Sequence, residues 1–402
     1  MSLRNVGIVY RKEMIDSLRD RRTVISMIVV PILLMPLMTM GLSVISIRMV
    51  RKAQKETPRV MILGGDDSPR LVDSLKKLPT LEFVPARDDY ASQISNKQLR
   101  AAVQIPRGFD AALESGGPAH VAIFDYEGEI KSEFAARRLE SFFQDLKQRT
   151  IEQRLAARNL PSSYIHPFEV EKQNVAPPEK VGAGVFGGLI PYLVILLCLT
   201  GAMYPAMDLT AGEKERGTME TILTSPVSRT HLVLGKFLTV LTASLSTAAL
   251  SVASMGLSFR YSKNLLGDVP PEVAAQLHMR LGPGAVAALF VMVLPIAVLF
   301  SAALLAISLF AKSYKEAQSY ISPLMIVVIL PAVASLLPGI DLNTRLALIP
   351  ILNTSLVSKE IVTGTYHWGY IALIFASSCV YAALALYTAV KLFQREDVLF
   401  RA

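Results

Sequence analysis

The chain has 402 residues, 52% of them hydrophobic and only 18% charged, with a mean hydropathy of +0.41 and a formal net charge of +8. So apolar a composition excludes an ordinary soluble globular protein. The basic excess collects in short connections between apolar runs, so it reports orientation in a membrane and not nucleic-acid binding.

In chain order, residues 1–22 read as an amphipathic helix on the membrane surface. Val6, Val9, Tyr10, Met14 and Leu18 recur at helical spacing, and Arg11, Lys12 and Arg19 lie off that stripe. Such a helix either orients the first span by its charge or also docks a partner. Thr23–Ile47 follows as the first run long enough to cross a bilayer, and it lacks the small-residue cleavage site of a signal peptide. Five more runs are Gly182–Met207, Phe237–Phe259, Gly282–Ala311, Ala317–Leu337 and Gly369–Val390, and none of the six contains Asp, Glu, Lys or Arg. Backbone groups in lipid need internal partners, so each run is expected to be a helix. Pro31, Pro36, Pro191, Pro205, Pro295, Pro323 and Pro331 should kink these helices.

An even number of spans puts both termini on one side. That side holds the basic N-terminal stretch, Lys214, Arg216, Arg229 and Lys236, then Lys312, Lys315, Lys391, Arg395 and Arg401. The opposite short loops hold only Arg260, Lys263, Arg280, Arg345 and Lys359, so the richer side is expected to be cytoplasmic. Cys198 and Cys379 both fall inside spans, which leaves no extracytoplasmic disulfide and suits a bacterial inner membrane.

Residues 48–181 separate the first two spans and read as an extracytoplasmic α/β domain. Strands are expected at Val60–Leu63, Leu81–Val84, Ala101–Ile105 and His120–Tyr126, with helices after "IPRGFD" and over Ile130–Arg158. Ser68 and Pro69 read as the cap and first position of a further helix. The Gly64-Gly65 turn before it could cradle an anion, but Asp66 and Asp67 would repel one, so capping is the better reading. Asp125, Glu127 and Glu129 could attract a cation, although a solvated turn explains them as well. "NVAPPEK" should be a stiff connector into the second span.

The charged connection "LTAGEKERGTMETILTSPVSRTHLVLGK" carries an amphipathic helix from Glu213 to Leu223, with Met219, Ile222 and Leu223 as its apolar patch. Arg216 and Glu220 stand four apart as a supporting pair, Pro226 ends the helix, and Ser228 can cap the next one. This elbow is either a protein-contact surface or a loop resting on the membrane. In the third span Ser244, Thr247, Ser251 and Ser254 form a hydroxyl stripe that allows close helix packing or lines a pathway. Asn353 is a further pathway candidate within residues 346–366, which are too interrupted for a clean span and read as short helices dipping into the outer leaflet before Trp368.

No G-x-x-x-x-G-K-[ST], no G-x-S-x-G and no clustered histidines occur, so no catalytic chemistry is legible. No ionisable residue lies inside an expected span, which argues against a proton- or ion-coupled secondary transporter and leaves no intramembrane carboxylate for a cation. "GEKERGTMETILTSPVSRTHLVLGK" resembles the coupling segment of type-two ABC exporter permeases. "YRKEMIDSLRDRRTVISMIVVPILLMP", "VQIPRGFDAAL", "IPILNTSLVSKEIVTG" and "KLFQREDVLFR" are similar to other parts of that superfamily, most of all to the NatB-type permeases of sodium-efflux transporters.

The resemblance implies a six-span helical permease with an inserted α/β domain. It also implies a homodimer working with two separate ATPase subunits that bind ATP and Mg. Glu213, Glu215, Arg216, Gly217, Thr218 and Glu220 would then couple the elbow, residues 209–230, to the ATPase. Sodium is the implied cargo. An exporter of an amphipathic drug, lipid or peptide is the alternative within the class, and a membrane-anchored ligand sensor the alternative outside it.

Overall fold

The structure is a computed structural model that describes residues 3–161, 178–262, 282–337 and 340–395. It divides into two compact units, Met1–Val44 with Val175–Ala402, and Ile45–Asn174. Among the described residues six helices are long and apolar enough to cross a membrane: Arg21–Gly41, Gly187–Glu215, Arg229–Ser258, Gly284–Leu309, Tyr314–Ala334 and Trp368–Gln394.

The N-terminal helix α1 spans Leu3–Arg19 and ends at Asp20, so the expected helix over residues 1–22 is broken there. The Asp20 carboxylate caps α2 (Arg21–Val24), accepting the Thr23 N–H at 2.9 Å and the Thr23 hydroxyl at 2.8 Å. The same hydrogen bonds outweigh the cost of its partial burial and hold Asp20 below the ordinary carboxylate range. A π-helical turn over Ile25–Val29 leads into α3 (Val30–Lys55). The buried line of α1 is Val6, Val9, Glu13 and Ser17, whereas Leu18 is 48% exposed. A glutamate and a serine thus occupy the positions the hydrophobic stripe had assigned to Met14 and Leu18.

In the unit Ile45–Asn174, strands β1 (Arg59–Gly64), β2 (Glu82–Val84), β3 (Ala101–Ile105) and β4 (Ala122–Asp125) form one sheet in the order β2-β1-β3-β4. β1 runs parallel to β2 and β3, and β4 is antiparallel to β3. Helices α4 (Pro69–Lys76), α5 (Tyr90–Ser95) and α6 (Phe109–Ser115) connect the strands, and α7 (Ile130–Ala157) follows β4. Leu71 and Leu75 of α4, Phe109 of α6, and Ala135 and Leu139 of α7 bury one face of the sheet with Val60 and Val103. Ile94 of α5 packs with Met61, Leu99 and Ala102 on the other.

Ser68 precedes α4 but makes no side-chain bond to that helix; its hydroxyl accepts the Asp110 N–H at 3.3 Å. Asp110 accepts the Arg70 N–H in turn at 3.1 Å, and Asp67 accepts the Gly108 N–H at 2.7 Å. One donor at the start of α4, the Arg70 N–H, is thus met by the chain's own carboxylate. Glu129 of the acidic turn caps α7 through the Ser132 N–H at 2.7 Å and pairs with Arg100 at 3.0 Å.

The remaining helices belong to the first unit. α8 (Pro178–Met207) takes in the end of "NVAPPEK", whose residues 174–177 lie outside the described set. A second π-helical turn, Asp208–Gly212, carries the helix on into α9 (Glu213–Glu215), and α10 (Thr218–Leu223) follows. Then come α11 (Arg229–Ser262), α12 (Pro283–Leu309), α13 (Tyr314–Ala334), a short 3-10 turn at Leu346–Leu348, α14 (Leu352–Val362) and α15 (Trp368–Gln394). Ser313 caps α13 by accepting the Glu316 N–H at 3.3 Å, while Glu316 accepts the Lys312 N–H at 2.7 Å. The C-terminal part of "KLFQREDVLFR", residues 396–402, is outside the described set.

α8, α11 and α12 form the interior of the bundle, and α1 packs along α11. α14 is buried along most of its length against α8 and α12. It is entered through a γ-turn: the Leu352 N–H donates to the Pro350 carbonyl at 2.9 Å, with Ile351 at φ +74.

Candidate functional site

The elbow after α8 is held by four consecutive charged side chains. Glu213, 4% exposed, forms an ion pair with the Lys236 ammonium of α11. The Lys214 ammonium donates to the Leu309 carbonyl at the end of α12. Glu215 accepts the Tyr314 N–H at the start of α13 at 2.7 Å. Arg216 folds back onto Asp208 in the π turn, donating to its carboxylate at 2.8 Å and to its carbonyl at 3.3 Å. The hydrogen bond to Asp208 is the main reason the Arg216 guanidinium sits above its ordinary pKa, so its charge is fixed. Each residue of the run therefore ties the elbow to a different place.

Gly217 breaks the helix expected over Glu213–Leu223. Its φ of +69 is left-handed, a conformation open to glycine at little cost, and its N–H closes on the Lys214 carbonyl at 3.0 Å. The break takes Arg216 and Glu220 out of one helical register, and Arg216 pairs with Asp208 instead. The Thr218 hydroxyl donates to the Glu213 carbonyl at 3.2 Å. Met219 is buried at 4% exposure, and Glu220 and Thr221 face outward. The Ser228 hydroxyl meets His231 Nδ1 at 2.8 Å, and its carbonyl accepts the Leu232 N–H at 3.1 Å.

Lys236 is the centre of a buried cluster. Its side chain is 1% exposed, donates to the Leu209 carbonyl at 2.7 Å, and lies 3.8 Å from Glu13 of α1. Glu13, with a side chain 3% exposed, also pairs with Lys12 at 3.1 Å. The helices run past the charge-free runs Gly182–Met207 and Phe237–Phe259. α8 continues through the π turn to Glu215 and α11 begins at Arg229, so Asp208, Glu213 and Lys236 lie within continuous helical spans. Sequence reasoning missed Glu13 and Lys236 as partners. The legible signal was Glu13 standing four residues after Val9 and seven after Val6, on the buried side of α1.

The hydroxyl stripe of α11 points into helix contacts. Ser244 donates to the Cys198 carbonyl of α8 at 2.8 Å. The Thr247 hydroxyl is shared between the Ala243 carbonyl of its own helix at 2.8 Å and the Met27 carbonyl at 3.2 Å, and the Ser254 hydroxyl between the Ser251 carbonyl at 3.0 Å and the Pro31 carbonyl at 3.1 Å, Met27 and Pro31 both being in the first span. Ser251 donates within its own helix to Thr247 at 2.7 Å. Pro31 has no N–H to return to Met27 four residues back, so Thr247 supplies a donor where the proline removes one. Asn353 is buried far from this stripe in sequence. Its amide donates to the Ala347 carbonyl at 3.2 Å, and its oxygen accepts the Thr354 N–H at 2.6 Å. Nearby, the Ser335 and Ser355 hydroxyls meet at 2.6 Å, and Lys359 donates to the Ser335 carbonyl at 3.2 Å. Among the described residues no group of three or more His, Cys, Asp or Glu could hold a metal ion.

A bundle of six apolar helices with a charged elbow tied into its core is the architecture of a transport subunit, and the comparisons agree. The profile of the ABC-2 family transporter proteins matches residues 21–391, and the chain belongs to that family. It is therefore a permease subunit, with ATP hydrolysis residing in a separate subunit of the transporter. It is 29% identical over 362 residues to the ABC transporter permease protein NatB of Bacillus subtilis (strain 168), covering 89% of each chain. No solved structure matches it.

Proposed function

We propose that the chain is the permease of an ATP-driven sodium exporter and that its ATPase partner docks on the elbow, residues 209–230. The observation that carries the docking reading is the set of ties from Glu213, Lys214, Glu215 and Arg216 to α11, α12, α13 and the π turn. An element anchored at four places transmits displacement to all of them, whereas a loop resting on lipid needs no such anchorage. The outward face of α10, with Glu220 and Thr221, is the side left for the partner. Met219 holds α10 against the bundle.

In the same reading, the permease is a homodimer in a bacterial inner membrane, with both termini cytoplasmic and the unit around the four-stranded sheet outside as an α/β domain. ATP and Mg bind the partner. Closure of the paired ATPases shifts the elbow, and kinked spans exchange inward-open for outward-open states because each state makes different contacts there. Sodium is supported by the resemblance to NatB-type permeases.

The test is ATP-driven uptake of radioactive sodium into inverted vesicles carrying the permease and its ATPase. A Glu213→Ala, Arg216→Ala permease is the control. Uptake that needs ATP and disappears in the control is the expected result. ATP hydrolysis that depends on the permease without sodium uptake would overturn the cargo and direct the search to amphipathic molecules. Hydrolysis indifferent to the permease would overturn the exporter itself.

A further inference from the structure

We infer that Lys236 is the positioning residue that locks α1 to the elbow, so that α1, α9 and the start of α11 travel as one body when the ATPase moves. The inference rests on the elbow being the ATPase contact.

Three elements meet at one ammonium: Glu13 from α1, Glu213 from α9 and the Leu209 carbonyl from the π turn, all on a side chain 1% exposed. A buried charge has no water to fall back on, so the ammonium cannot leave Glu213 without stranding a charge, whereas Glu13 keeps Lys12 at 3.1 Å and meets Lys236 at the longer 3.8 Å. Displacement of Glu213 therefore draws Lys236 with it, and the packing of α1 on α11 beside Lys236 carries Glu13 along. The neighbouring position makes the contact tight. A Cβ added at Gly235 would lie 2.5 Å from Val9 Cγ1 and 3.2 Å from the Tyr10 nitrogen, so α1 crosses α11 at backbone distance beside the triad. Tyr10 and Thr242 add a hydroxyl contact at 3.2 Å farther along the same pair of helices. α1 is thus a second lever attached to the elbow and not merely a basic flank.

The experiment uses the full permease–ATPase complex in lipid nanodiscs, with Cys198→Ser and Cys379→Ser as background. Spin labels go on exposed positions of α1 and the end of α10 through Ile8→Cys and Thr224→Cys, and their separation is measured without nucleotide and with ATP plus vanadate. The expected result is one unchanged distance in both states. The variant Glu13→Met, Lys236→Met, Glu213→Met removes all three charges together and strands none of them. It should bind the ATPase, show a nucleotide-dependent shift of the same distance, and lose the permease stimulation of ATP hydrolysis.

A distance that changes with nucleotide in the labelled native triad overturns the inference, and needs no folded triple variant to do so. A triple variant that keeps both the fixed distance and the stimulation also overturns it, because the triad is then only structural. Failure of the native permease to bind or stimulate the ATPase overturns the elbow reading, and the inference falls with it.

Discussion

Lys236 shows how far a single residue can depend on its surroundings. Lys236→Met leaves Glu13 and Glu213 buried together without their shared ammonium, and should destabilise the permease by about 3–5 kcal/mol in a denaturant titration in detergent. Replacing all three members by methionine should cost far less, since no charge is stranded. Gly235→Ala forces a methyl against the Val9 Cβ and the Tyr10 nitrogen as well as Val9 Cγ1 and should cost about 1–3 kcal/mol, little of it recovered by Val9→Ala, which keeps the Cβ. Asp20 gives a pH signature. Its folded pKa lies below the ordinary carboxylate value, so its capping stabilises fully above that ordinary value and is lost as pH falls through the lowered one. Asp20→Ala should therefore cost about 1 kcal/mol near pH 7, and the difference from wild type should vanish in melts at strongly acid pH. The spacing of Glu13 from Val6 and Val9 put it on the buried side of α1, but nothing in the sequence paired it with Lys236. Glu13 lies more than two hundred positions away, and apolar periodicity has no means of marking which charge a buried residue meets.

At the scale of elements, the spans were legible because lipid demands long apolar runs, but their ends were not. Charge was taken to mark an end, yet the π turn at Asp208–Gly212 carries α8 past Met207, with Asp208 held by Arg216 and Glu213 by Lys236. The elbow was misread for a related reason: helical spacing from Glu213 to Leu223 is regular, and the break lies in the φ of Gly217. That glycine after a charged turn was the available sign. Gly217→Ala meets no atoms within 4 Å, so its cost is the backbone's alone, about 1–2 kcal/mol, and it should weaken ATPase stimulation more than folding. The α11 stripe allows a cleaner cycle. Thr247→Val removes the donor to Met27 and should cost roughly 0.6 kcal/mol and at most about 1.7. In a Pro31→Ala background, where the helix regains an N–H, the same change should cost less.

For the molecule as a whole, orientation is the property that composition argued most directly and that labelling can settle. In the Cys198→Ser, Cys379→Ser background, an impermeant maleimide should reach Thr221→Cys only in inverted vesicles and Glu114→Cys only from outside intact cells. Labelling of both from one side would sink the arrangement of termini and sheet proposed here. The four strands were legible because β-rich runs alternate with turn residues, and each appears within a residue or two of its expected place. The partners of α14 were not, since the spacing of its Asn, Thr and Ser side chains does not show that Ser335, Ser377 and Ser378 meet them.

The hydroxyl that meets the Met27 carbonyl has a consequence for how the protein is made. Thr247 lies 220 residues after Met27. At about 5–20 residues per second, the ribosome delivers it roughly 10–45 s after the first span has left the tunnel. For that interval the first span lacks a donor that its finished form possesses. It should linger beside the insertion machinery, or draw in water, until the third span arrives. Truncated nascent chains ending before Thr247 should accordingly cross-link to the insertase longer than those ending after Ser254, and Pro31→Ala should shorten the delay.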